Sequence, residues 1–205
     1  MVPSPAVVAD SEAWVDLDPG DKRRRLRGIA TAVFTEQGLG APMPAIAAAA
    51  GVGVGSLYRC FGSKDELIAA IVVEQMRSVR ARILAADQRA EPGRVLEQTL
   101  RDLVEYQADN QLVRAALAAT SDRPEVEDAV DRVSLAWQGL LDRARGDGAI
   151  RADATVTDLR LIFAATHAAD EFQSGARGRM LALLLDALRG GEGGTGRGEA
   201  GSGTR

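Results

Sequence analysis

One cysteine, Cys60, and one histidine, His167, stand in the whole sequence, and both scarcities exclude chemistry. A single cysteine closes no intramolecular disulfide, and with one histidine far along the chain it assembles no zinc site, so no metal and no cofactor is expected. Aromatic residues make up only 4% although hydrophobic residues reach 46%. Alanine and leucine occupy the apolar positions where a sheet would need β-branched and aromatic runs, which predicts an all-α protein. No apolar run approaches the ~18 residues that a membrane-spanning helix requires. The opening Met1-Val2-Pro3-Ser4-Pro5 lacks a basic stretch followed by an apolar block, so neither secretion nor a membrane partner is expected and the chain reads as cytoplasmic. Also missing are a glycine-rich phosphate loop after a strand, a pair of histidines and any Ser, His and acid grouping, and the sequence does not read as an enzyme.

What is present is unevenly charged. The 205 residues carry a net charge of −4, but residues 21–68 hold seven cations (Lys22, Arg23, Arg24, Arg25, Arg27, Arg59, Lys64) against Asp21, Glu36, Asp65 and Glu66, a local +3. That end is the part able to attract phosphate. Residues 1–20 read as a flexible extension, and 190–205 as a disordered glycine-rich tail with too little apolar surface to order itself.

Between these ends the punctuation is helical. Asp18 or Asp21 can cap a first helix with Leu26, Ile29, Ala30, Val33 and Phe34 on one face, stopped by Gly38. Pro42 and Pro44 lead into a short helix through Ile46 and Ala47, and after Gly51 to Gly53 a second short helix runs from Val54 to Phe61. Two short helices about such a turn describe a helix-turn-helix, with the second offered to the major groove of DNA. Ser63, with Glu66 three residues on, starts a long helix to about Ala86 in which Leu67, Ile71 and Met76 are partly buried. Pro92-Gly93 breaks the pattern before a stripe of Leu96, Leu100, Leu103, Val104 and Gln107, and another helix follows near Leu112 to Leu117. Ser121 to Pro124 opens a helix through Val126, Val130, Val133, Trp137, Leu140 and Leu141. Thr155 or Thr157 caps the next, with Leu159, Ile162, Phe163 and Thr166, and Met180, Leu181, Leu184, Leu185 and Leu188 mark the last.

The ordered matches Gly38, Ile46-Ala47, Ala50-Gly51-Val52, Gly55-Ser56-Leu57-Tyr58, Phe61, Lys64 and Leu67 resemble the DNA-binding domain of the TetR family of transcriptional regulators. Gly148 to Asp153 and Leu183 to Arg189 resemble the C-terminal part of that family more loosely. The resemblance implies an N-terminal three-helix helix-turn-helix domain, 21–68, and a C-terminal helical domain, 69–189, that binds an effector and dimerises. It assigns Tyr58 and Lys64 to phosphate contacts and places Val54, Gly55, Ser56 and Arg59 on the face that meets base edges. Of these, Arg59 has the fork able to reach guanine O6 and N7. Cys60 stands where the family usually has a phosphate-contacting histidine, and Gly53 where a serine or threonine commonly caps the recognition helix.

Plainer readings of the same residues stay open. Arg23, Arg24 and Arg25 suit either a solvated helix face or phosphate contact. Trp137, Phe163 and His167 are either ligand-pocket residues or packed core, and Cys60 is either a redox switch or structural. The apolar stripes of the last two helices, with Leu159, Ile162, Leu181, Leu184, Leu185 and Leu188, suit a four-helix dimer interface. The expected function is a sequence-specific regulator, a repressor that binds a palindromic double-stranded operator as a homodimer in the nucleoid and lets go when an unidentified small molecule binds. The alternative is an effector-independent architectural DNA-binding protein.

Overall fold

The computed structural model describes Trp14 and residues 17–86, 91–108 and 111–189. The expectations for 190–205, and for most of 1–20, lie outside the described residues. The elements are all α-helices: α1 (Pro19–Gln37), α2 (Met43–Ala49), α3 (Val54–Phe61), α4 (Lys64–Ala86), α5 (Pro92–Ala108), α6 (Gln111–Ala119), α7 (Pro124–Gly146), α8 (Val156–Phe172) and α9 (Ala176–Arg189). The chain divides into two compact units. One gathers the described residues of Met1–Ser78 and Asn110–Asp131, the other those of Val79–Asp109 and Arg132–Arg205. The helix-turn-helix residues therefore sit in a unit larger than 21–68, which includes α6 and the first turns of α7.

In the first unit each helix begins and ends for a local reason. The Asp18 carboxylate accepts from the amides of Gly20 and Asp21, and Pro19 opens α1 where its missing N–H costs nothing. Leu26, Ala30, Val33 and Phe34 return at helical spacing and are buried against Met43, Ile46 and Ala47 of α2, Leu57 and Phe61 of α3, and Leu67, Ile68, Ile71 and Val72 of α4. Ala116 and Val126 complete this core. The Ser63 hydroxyl accepts from the Glu66 amide at 3.1 Å and starts α4.

The second unit has its own core. Val79 and Ile83 of α4 meet Leu96, Leu100, Leu103 and Val104 of α5, Trp137, Leu140 and Leu141 of α7, and the inward faces of α8 and α9. Gln107, placed by spacing on the α5 stripe, is exposed. A glutamine that ends an apolar stripe keeps its amide in water, because the core offers it no partner. Thr155 caps α8 through a reciprocal pair: its hydroxyl accepts from the Asp158 amide, and the Asp158 carboxylate accepts from the Thr155 amide. No single helix among the described residues is long and apolar enough to cross a membrane.

Candidate nucleic-acid interface

Between α2 and α3 lies a four-residue turn that bends the pair by 108°, within the range of helix-turn-helix units. Its geometry follows from one residue. Gly51 adopts φ 66°, the left-handed conformation that glycine enters without a Cβ penalty. This aims the Val52 amide back at the Ala47 carbonyl (3.0 Å) and the Gly51 amide at that of Ala48 (3.1 Å), the double bond of a Schellman stop. Val52 then packs on the core, and Gly53 stands at the cap position before Val54 opens α3; its lack of a side chain leaves that end without a side-chain cap.

The eight residues of α3 divide sharply. Leu57 and Phe61 are fully buried and fasten the helix to the core; Gly55, Tyr58 and Arg59 are exposed, and Ser56 is half-buried. Tyr58 keeps 46% of its surface in water. The Arg59 guanidinium lies along its own helix and donates to the Ser56 hydroxyl at 2.8 Å, over the gap that Gly55 leaves. Val54 and Cys60 are half-buried against the core, so Val54 is partly a packing residue and Cys60 presents a free, half-covered thiol. Lys64, the first residue of α4, extends its ammonium over the Phe34 ring at 5.8 Å.

The carbonyls that end α3 are nearly all used. That of Tyr58 accepts from the Gly62 amide (2.7 Å) and that of Phe61 from the Ser63 amide (2.6 Å). The Cys60 carbonyl accepts from the Arg23 guanidinium of α1, which also lies 4.7 Å from the centre of the Phe61 ring. Gly62 makes the exit possible because it adopts φ 66°, a conformation that side-chain-bearing residues enter only with strain. All three arginines of the triplet are exposed, and their contacts differ: Arg23 turns to α3 and Arg24 pairs with Asp21. No sequence signal distinguished them. Arg27 adds a tie from α1 to Glu74 of α4 at 3.4 Å.

In the second unit Trp137 and Phe163 come together, with ring centres 6.2 Å apart and tilted by 54°. Trp137 is buried in the core, and the His167 Nε2 meets the Glu171 carboxylate of its own helix at 3.1 Å. A cavity of about 250 Å³ lies elsewhere, between the start of α5, the 149–150 segment and the end of α9. Leu96, Ile150, Leu185 and Leu188 line it with Arg94, Glu97 and Arg189; Trp137, Phe163 and His167 are not among its walls. Glu97 is held below the ordinary carboxylate range by its hydrogen bond from Arg101, then by that from Arg189.

Of the six leucine and isoleucine positions read as a dimer interface, Leu159, Ile162, Leu181, Leu185 and Leu188 are buried inside their own unit, and Leu184 is half-buried. The reason is that α8 and α9 each carry two apolar stripes. The second points outward: Leu161, Ala165, Ala168 and Phe172 on α8, and Ala176, Met180, Leu183 and Ala187 on α9, with Leu161 61%, Phe172 90% and Leu183 49% exposed. Sequence periodicity alone does not say which stripe a domain keeps for itself.

A bent helix pair with a buried anchor row and an exposed, basic second helix defines a helix-turn-helix DNA-binding protein. Residues 29–71 match the family of bacterial regulatory proteins called tetR, and residues 91–190 match the C-terminal domain of SbtR-like transcriptional regulators. The chain belongs to the TetR family of transcriptional regulators. It is similar to the TetR transcriptional regulator SCO0520 of Streptomyces coelicolor, at 29% identity over 82% of this chain and 98% of that one, with a TM-score of 0.61. A TetR regulatory protein of Mycobacterium vanbaalenii is 27% identical over 84% and 98%, also at 0.61. RolR, solved with resorcinol bound, shares the fold at 19% identity over 83% and 88%, with a TM-score of 0.56. No curated protein matches the sequence significantly.

Proposed function

We propose that this TetR-family regulator is a repressor that grips a twofold-symmetric operator as a homodimer and is released by a small molecule bound in its C-terminal unit. The observation that carries the DNA side is the split of α3, with Leu57 and Phe61 buried and Gly55, Tyr58 and Arg59 turned to solvent. Arg59 reads guanine through its fork, Tyr58 and Lys64 fix register on phosphates, and Val54, Gly55 and Ser56 lie against base edges, with Gly55 allowing close approach. One such helix makes too few base contacts for selectivity, which is the physical case for a pair about one DNA turn apart, roughly 34 to 36 Å.

The outward stripes of α8 and α9 support the pairing. Their exposed Leu161, Phe172 and Leu183, with half-covered Leu184, form the apolar surface a second copy would cover. An effector in the C-terminal unit would favour a conformer with misplaced recognition helices, and α4, which contributes residues to both units, would carry the bias. Linkage then requires operator to weaken effector binding by the same factor. Such a fold accommodates small molecules, as RolR does resorcinol.

Selection of bound sequences from a random duplex library tests the DNA reading as a whole. Enrichment of an inverted repeat with half-sites about one turn apart is the expected result. Equal binding to every duplex would overturn it and favour an architectural protein.

A further inference from the structure

Helix α3 has only two turns, and its ends are secured unequally. At Gly53 no side chain caps it. At the other end the Tyr58 and Phe61 carbonyls are satisfied within the turn, while the Cys60 carbonyl takes its hydrogen bond from Arg23, 37 residues earlier on α1. The same guanidinium lies over the Phe61 ring at 4.7 Å, and Phe61 is 1% exposed and fixed in the core. One cation therefore does two things at the C-terminal end of α3. It meets the negative end of the helix dipole with a charge-assisted hydrogen bond, and its place over the Phe61 ring helps hold it there.

We infer that Arg23 is a positioning residue for base reading: from α1 it completes the C-terminal cap of the recognition helix and sets how Tyr58 and Arg59 are presented to DNA. This inference rests on α3 being the reading element. It separates Arg23 from its neighbours by its contacts with α3, one carbonyl and one ring; because the exposed guanidinium keeps further N–H donors, a phosphate contact is the rival role that the test must distinguish. Tyr58 and Arg59 lie in the turn whose last carbonyls Arg23 and the Gly62 amide hold. Freeing that turn lets the reading side chains sample other directions, which lowers discrimination more than it lowers general attraction to DNA.

The test uses the full-length protein and two probes: the duplex selected by the unsubstituted chain, and a scrambled duplex of equal length. Affinity for both is measured over a series of KCl concentrations for the unsubstituted protein, Arg23→Ala and Arg23→Lys. Arg23→Ala is expected to lower the selected-to-scrambled affinity ratio about tenfold while leaving the salt slope as it was. Arg23→Lys, which keeps a cation and a donor at the site, should recover most of that ratio. Should Arg23→Ala fail to fold, Arg23→Met, which keeps bulk over the Phe61 ring but neither the charge nor the donor, is expected to lower the ratio in the same way, and an unchanged ratio in it overturns the inference.

Two results would overturn the inference. A salt slope reduced by about one, with equal losses on both duplexes, would make Arg23 a phosphate contact. A lower melting temperature with ratio and slope unchanged would make it a fold-stabilising residue only. Failure of the underlying reading looks different, because the unsubstituted protein would then show no preference between the two duplexes, or would keep its preference in Arg59→Ala.

Discussion

Arg59 is a surface side chain on a short helix, yet it holds a defined place because the Ser56 hydroxyl accepts from it one turn back. A guanidinium oriented before binding loses less freedom when it meets a base edge, which favours it over lysine for reading guanine. Arg59→Ala is expected to cost about 1 to 3 kcal/mol on the selected duplex and to relax preference at one base pair per half-site, measured by anisotropy on single-substitution duplexes. Glu97 shows the other use of arginine, with Arg101 at 2.7 Å and Arg189 holding the start of α5 to the end of α9. Its carboxyl is pushed below its ordinary value, first by the Arg101 hydrogen bond. A depressed folded-state value means stabilisation that is present above the unfolded-state pKa, about 4.3, and lost as pH falls through the folded one. Glu97→Gln should therefore lower stability by about 1 kcal/mol or less at neutral pH, with the difference from the unsubstituted protein in urea melts closing as pH drops below that range.

The helices show how local signals and tertiary choice divide the work. Thr155 begins α8 with a reciprocal cap, and Asp158 is pulled below its ordinary value, first by the Thr155 hydroxyl. Thr155→Ala should cost about 1 kcal/mol in a urea melt and Thr155→Ser much less. Caps of this kind are legible in sequence, as are the glycine stops at Gly38 and Gly51 and the anchor row of Leu57 and Phe61, because each depends on residues a few positions apart. Three things were not legible. Ala116 and Val126 join the core of the first unit by a long-range contact that no local pattern encodes. The inward stripe of α8 and α9 is as apolar as the outward one, so Leu159 and Leu185 read equally well as interface or core. Arg23 differs from Arg24 and Arg25 only in the direction that the turn of α1 gives it.

For the whole molecule, the exposed apolar stripes carry a consequence for assembly. Leu161→Asp with Phe172→Asp places two charges on the surface that a second copy would cover, at positions outside the core of their own unit; sedimentation velocity is expected to show a monomer, with a melting temperature lowered only by the loss of the partner. A dimer that survives both changes would move the interface elsewhere. The same monomer should lose most of its affinity for a full operator and little for an isolated half-site, because coupling two weak contacts is what raises affinity. There is also a limit set by the size of α3. Eight residues rising 1.5 Å each give a rod about 12 Å long, which lies along only about four base pairs. A four-letter word turns up by chance about once in 256 positions and a doubled one about once in 65,000, so a chromosome of a few million base pairs would offer dozens of perfect decoys. For a paired reader of the kind proposed, selectivity beyond those two short words would come from how readily the intervening DNA bends and twists to bring them into step.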